Sequence, residues 1–235
     1  MEPILAAAVP SVASAAVALI AVDGAVVASA AVGELVRFAT ADFELAAVRP
    51  AVRADSVFDL ASISKLFTTA AILSLVEEGV LDLDAPVAAW IPGRDPRITL
   101  RRLLTHTAGL QPTRRIDLEL PAASFAERMA AIVDTPVTSE VGGAYLYSDV
   151  GMITAGRVAE LASGLPLDAL VTQRVLKPLD LTATRYRPAS AERVAATEWK
   201  QERGGIVRGT VHDETAYGLG GVAGHAGVFS TAGDL

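Results

Sequence analysis

The chain has no cysteine. A disulfide, a thiolate nucleophile and a Cys-ligated zinc site are therefore excluded, while the redox compartment stays open. Lysine is scarce: Lys65, Lys177 and Lys200 stand against 17 arginines, so the position of each lysine is informative. The three histidines, His106, His212 and His225, are far apart, with no HExxH-type spacing, and neither a metal nor an organic cofactor is called for. Net charge is −7, which argues against a nucleic-acid partner, because phosphate binding needs clustered cations. There is no internal repeat, no block of like charge and no Ser/Gly-rich linker.

Charge is also absent from Ile4 to Val22, nearly the length of a membrane span, and Ala13-Ser14-Ala15 has the small-residue look of a leader cleavage site. Three features weigh against both readings. No Lys or Arg precedes the run, Glu2 is acidic, and Pro10, Ser11 and Ser14 interrupt it. The expectation is a cytoplasmic protein with no membrane partner, export being left open.

What is present is 235 residues, 51% apolar, with mean hydropathy +0.41, enough to pack a substantial core. Ala15–Val22 and Ala25–Ala31 predict two strands joined at Asp23-Gly24, a pair that supplies positive φ angles. Helices are predicted from near Ser62 to Gly79, over Leu100–Leu104 behind Thr99, and from Ser124 to Val133 with Glu127 completing a capping box. Two more are predicted from Ser148 to Ala162 and from Pro166 to about Leu176. Leu81–Pro92 reads as a loop, Thr182–Arg187 as a short strand and Tyr217–Gly227 as irregular. Strands first, helices in the middle and a late strand give an α/β (α+β) class with a helical insertion. The Ser62 helix is apolar on nearly every face, which predicts burial on all sides.

Its first turn carries Ser62-Ile63-Ser64-Lys65. A serine hydroxyl is a poor nucleophile until its proton is taken. Positions i and i+3 share a helix face, so Lys65 Nζ can reach back to Ser62 Oγ, and apolar burial would favour the neutral amine that acts as a base. The helix N-terminus favours a developing oxyanion. Ser64 has Phe67 at i+3 and no such partner.

Ser56–Gly93 around this motif resembles the nucleophile region of class C β-lactamases, their esterase relatives and DD-peptidases. Leu103–Leu110 (LLTHTAGL) resembles a second fingerprint of the family, Tyr147-Ser148-Asp149 its Tyr-x-Asn motif, and Asp213–Leu235 a later stretch. The resemblance implies a β-lactamase/transpeptidase-like fold, an antiparallel sheet flanked by helices. It also implies one domain over 1–235: strands in 1–60, helices in 61–180 and a return to the α/β part in 181–235. It implies that Ser62 is acylated and that Lys65 and Tyr147 share the proton transfers, a phenol with a reference pKa of about 10 needing a nearby cation for this. Asp149 departs from Asn. An ionised Asp only accepts hydrogen bonds, which fits ester better than β-lactam cleavage. Asp149 is read either as substrate-binding or as a helix cap. His106 and His225 are read as local braces, not as a general base or as part of a third motif.

The family's Lys/His-Thr-Gly strand, with one oxyanion N–H, would follow Leu235. The expectation is an incomplete domain that lacks its later strands. The function expected is a serine hydrolase forming an acyl-enzyme, acting on small esters first and on D-alanyl peptides or β-lactams as alternatives. The rival expectation is a non-catalytic relative that binds a ligand or partner. The oligomeric state is not legible.

Overall fold

In the computed structural model, which describes residues 1–235, Asp23 and Gly24 have φ of 49° and 78°, the pair of left-handed conformations that a two-residue hairpin turn requires. They join β1 (Ala15–Val22) to β2 (Ala25–Gly33), antiparallel from Ala15↔Gly33 to Val22↔Ala25. The register slips once between Ile20 and Ala21, leaving Val27 as the extra residue of a bulge. The uncharged N-terminal run is divided. Its first part is α1 (Glu2–Ala8), which the sequence reading left without an element, and its last part is β1. No helix is long and apolar enough to cross a membrane.

The chain forms two compact units. The first comprises Met1–Leu60, Thr182–His212 and Val228–Leu235. Besides β1 and β2 it holds β3 (Phe58–Asp59), β4 (Arg185–Tyr186), β5 (Trp199–Lys200), β6 (Gly205–Ile206) and β7 (Val228–Ser230). The antiparallel strands implied by the resemblance are present, divided among three ladders: β1-β2, β3-β7-β4 and β5-β6. The predicted strand Thr182–Arg187 shrinks to β4 because its first half bonds elsewhere. Ala183 N–H and Thr184 Oγ1 both donate to Asp234 Oδ2, at 2.9 and 2.8 Å, and Thr184 Oγ1 also pairs with Ser230 Oγ at 2.6 Å. Leu35, Val52 and Ala195 form a buried cluster, with Ala15, Val17, Ala31 and Phe58 packed on it.

The second unit comprises Ala61–Leu181 and Asp213–Gly227 and is helical. After a 3-10 turn at Ala61–Ile63, α2 spans Ser64–Glu77. Gly79 ends it with φ +72°, Val80 N–H returning to Leu75 O and Gly79 N–H to Val76 O, the two bonds of a Schellman cap. α3 (Leu100–Leu104) is capped by Thr99, and α5 (Phe125–Val133) by the Ser124/Glu127 box; the short α4 (Ile116–Glu119) lies between them in sequence. α6 (Asp149–Ser163) starts at Ser148 and stops at Gly164, whose φ is +70°. α7 (Leu167–Val171) continues as a π-helical turn to Leu176, and α8 is Glu214–Gly218.

The most buried helix is α6, not the apolar α2. α6 packs against α2, α3, α5 and α7. Its small residues Gly151, Ala155, Gly156 and Ala159 let neighbouring backbones come close, as Gly156 does to Gly224. α2 buries Phe67, Ala71, Ile72 and Leu75 on one side. The expectation of burial on every face is corrected on the other side, where Leu66 is 68% exposed and Leu73 44%. A uniformly apolar helix carries no moment to say which stripe is covered; its neighbours decide.

Candidate active site

Ala61, which precedes the motif serine, has φ +47°, an uncommon conformation for a residue with a Cβ and one that clusters at functional sites. It turns the chain into α2 so that Ser62 is exposed while Lys65, one turn on, is buried. Lys65 Nζ donates to Ser62 Oγ at 2.8 Å, the i, i+3 contact expected from the spacing.

Lys65 is held on two further sides. It donates to the backbone carbonyl of His225 at 3.3 Å, and it lies 2.8 Å from Asp149 Oδ1 in an ion pair. The direction of that pair is not that of an aligned hydrogen bond, so Asp149 Oδ1 is buried without a hydrogen-bond donor. The sequence reading placed Lys65 in apolar surroundings; the structure gives it two hydrogen-bond acceptors, the Ser62 hydroxyl and the His225 carbonyl, and an ion-pair partner in the Asp149 carboxylate. Asp149 is therefore no helix cap. Ser148 takes that role, its Oγ accepting from Gly151 N–H at 3.0 Å, and Asp149, in the first turn of α6, is free to face Lys65.

Tyr147 reaches the same amine with its ring face. Lys65 Nζ is 4.6 Å from the ring centroid, within cation–π range. Ser62, Lys65, Tyr147 and Asp149 thus converge around Lys65 Nζ, the contact with Tyr147 being made by the ring.

The segment that carries Tyr147 is tied to the loop after α3. Leu146 N–H donates to His106 O at 2.9 Å and Asp149 N–H to Pro112 O at 2.7 Å. Ser148 N–H donates to His106 Nδ1 at 3.1 Å, and Ser148 Oγ to Gln111 O at 2.7 Å. The LLTHTAGL and Tyr-Ser-Asp segments are one physical assembly, a pairing that sequence gives no means to see. Burial pushes the His106 imidazole below the usual histidine range, the Lys65 charge adding to this and the Asp149 carboxylate opposing it.

The remaining anchor of Lys65 was missed in the sequence. His225 is 1% exposed, and its Nε2 pairs with Asp213 Oδ1 at 2.8 Å. The same oxygen caps α8 by accepting from Ala216 N–H at 2.7 Å. Reading His225 as a brace was sound for its ring, but its carbonyl works at the site, and a main-chain acceptor leaves no signature in residue type. Gly224 makes that approach feasible, since a Cβ there would stand 2.1 Å from Met152 O of α6.

Comparison with known proteins follows the same lines. A family model described as Beta-lactamase matches residues 10–235. A protein of Escherichia coli (strain K12) named putative D-alanyl-D-alanine carboxypeptidase is 32% identical over 212 residues, covering 77% of this chain and 49% of that protein. The chain thus spans about half the length of the curated relatives it matches. Among solved structures, the octameric penicillin-binding protein homologue from Pyrococcus abyssi superposes with a TM-score of 0.70 at 24% identity, over 94% of this chain and 50% of that one. EstCE1, a hydrolase with promiscuous acyltransferase activity, gives 0.70 at 24% identity, over 94% and 65%. At those identities the likeness speaks for the fold.

Proposed function

The chain belongs to the Beta-lactamase family, and from that premise we propose that it is a serine hydrolase working through an acyl-enzyme on Ser62, with small carboxylic esters as its substrates. The observation that carries this reading is the exposed Ser62 hydroxyl 2.8 Å from the buried amine of Lys65. In the proposed reaction Ser62 Oγ attacks the acyl carbon, and its proton passes to the Lys65–Tyr147 pair. When Lys65 holds that proton, the Asp149 carboxylate 2.8 Å away is its counterion. The proton then goes to the leaving oxygen as the acyl C–O bond breaks. Water, giving its proton to the same pair, attacks the acyl carbon; the pair returns that proton to Ser62 Oγ as the acyl–Oγ bond breaks, releasing the acid and the free Ser62 hydroxyl.

Asp149 favours esters. Where a neutral Asn donates to a substrate amide carbonyl, an ionised Asp only accepts. A second reading, cleavage of D-alanyl peptides, is favoured by the curated relatives at 32% identity that bear the name D-alanyl-D-alanine carboxypeptidase. The test has two steps, done on the protein at its natural length. A fluorophosphonate probe should add one adduct by intact mass, absent in Ser62→Ala; no adduct on the folded protein would favour a non-catalytic binder. Turnover of p-nitrophenyl esters is then compared with release of D-alanine from a D-Ala-D-Ala peptide and with opening of a chromogenic cephalosporin. Preference for either of the latter two would overturn the ester reading.

A further inference from the structure

His106 is the residue on which the Tyr147 segment hangs. Its φ is +57°, a left-handed conformation that costs a side chain free energy and persists only where the surroundings demand it. That conformation sends its carbonyl and its imidazole to the same stretch of chain. The carbonyl accepts from Leu146 N–H at 2.9 Å, and Nδ1 accepts from Ser148 N–H at 3.1 Å. Between those two bonds lies Tyr147, its ring centroid 4.7 Å from that of the imidazole and tilted by 34°. Tyr145 closes the other side edge-on at 5.6 Å. Four consecutive residues, Tyr145 to Ser148, thus touch one histidine.

We propose that His106 is a positioning residue for Tyr147, and that it holds the phenol in place only while its ring is neutral. The proposal rests on the hydrolase reading for its catalytic consequence, though not for the clamp itself. The chemistry is one of donor and acceptor. Nδ1 accepts a backbone N–H, so the ring's single proton is on Nε2, and an imidazolium would have no acceptor left for Ser148. Protonation therefore releases the Ser148 end of the clamp. It also sets a second cation among the charged and titratable groups that face the ring: Lys65 from α2, Asp149 from α6, and Tyr145 and Tyr147 beside it. Burial and Lys65 hold the ring neutral to a pH below the ordinary histidine range, which keeps the clamp closed at neutral pH.

The experiment follows two readouts against pH in the natural-length protein: the Ser148 amide signal by NMR and the rate of Ser62 labelling by a fluorophosphonate. The expected result is that the His106 ring, the Ser148 amide and the acid limb of labelling share one midpoint. His106→Asn tolerates the left-handed backbone and offers a carbonyl acceptor that does not titrate. It should flatten the Ser148 amide response and remove that acid limb. His106→Ala should slow labelling at neutral pH roughly 10- to 100-fold, the scale of an ångström's misplacement of a catalytic group. If His106→Ala fails to fold, His106→Asn carries the test alone. A Ser148 amide that ignores the titration of His106, or an unchanged acid limb in His106→Asn, would overturn the proposal. A wild-type protein that never labels would sink the hydrolase reading instead, and the Ser148 amide would still decide the clamp.

Discussion

Gly224→Ala puts the geometry behind Lys65 under direct load. The new Cβ would lie 2.1 Å from Met152 O, 2.9 Å from Met152 C and 3.4 Å from Ile153 Cα. An ordinary contact of this kind needs about 1 Å more, and every atom in the way is backbone of α6, so no rotamer change relieves it. Gly224 has no positive φ, so the whole cost is the collision. Overpacking of this sort costs about 1–3 kcal/mol, and the rigidity of the obstacle places this case near the top of that range. For a protein of this size that is a fall in Tm of roughly 6–12 °C. The side that yields is the 223–226 segment, and His225 O, already 3.3 Å from Lys65 Nζ, moves out of hydrogen-bond range. Within residues 1–235, Trp199→Phe leaves Trp90 as the sole indole, a fluorescence reporter of the helical unit that holds Gly224. Thermal melts in that background, with Gly218→Ala as control, make the comparison; a Cβ at Gly218 meets nothing nearer than 3.6 Å. Gly224→Ala melting within about 1 °C of its parent, on the per-kilocalorie scale just used, would refute the backbone-contact argument.

Three further outcomes are expected. Ser124→Ala removes the Oγ that accepts from Glu127 N–H in the α5 capping box, leaving the backbone N–H of residue 124 on the Glu127 carboxylate, and should lower stability by about 1 kcal/mol in urea titrations at unchanged m-value. The lowered pKa of His106 gives stability a definite sign with pH. The unfolded ring binds its proton first as pH falls, so the contribution of His106 is complete above about pH 6.5 and declines as pH drops towards the folded value. Urea midpoints from pH 8 to 5 should therefore fall less in His106→Asn than in the parent. Asp149→Asn restores an amide donor and deletes the carboxylate facing Lys65. The ratio of D-Ala-D-Ala peptide to p-nitrophenyl ester turnover should rise about tenfold, the scale of one net hydrogen bond; a ratio that falls would place Asp149 outside substrate selection.

What could be read from the sequence was whatever depends on neighbours a few residues apart. The hairpin at Asp23-Gly24, the Ser124 box, the Ser148 start and Gly164 stop of α6, and the Ser62-to-Lys65 reach are all local, and each is where the spacing places it. Illegible were relations between segments far apart. α2 looked like the core helix because it is apolar, yet α6 is, because its glycines and alanines admit backbones that leucines would keep away. Thr182–Thr184 looked like strand, but a carboxylate some fifty residues on, Asp234, takes the N–H of Ala183 and the hydroxyl of Thr184. At the site, the residues expected to act could be named, but the atoms that hold Lys65 and Tyr147 could not. The carbonyl of His225 and the carbonyl and Nδ1 of His106 are acceptors placed by backbone course. Such placement is also why a change at Gly224, which bears no side chain, should be felt at Lys65 Nζ, and why its effect discriminates between a designed approach of the two segments and a fortuitous one.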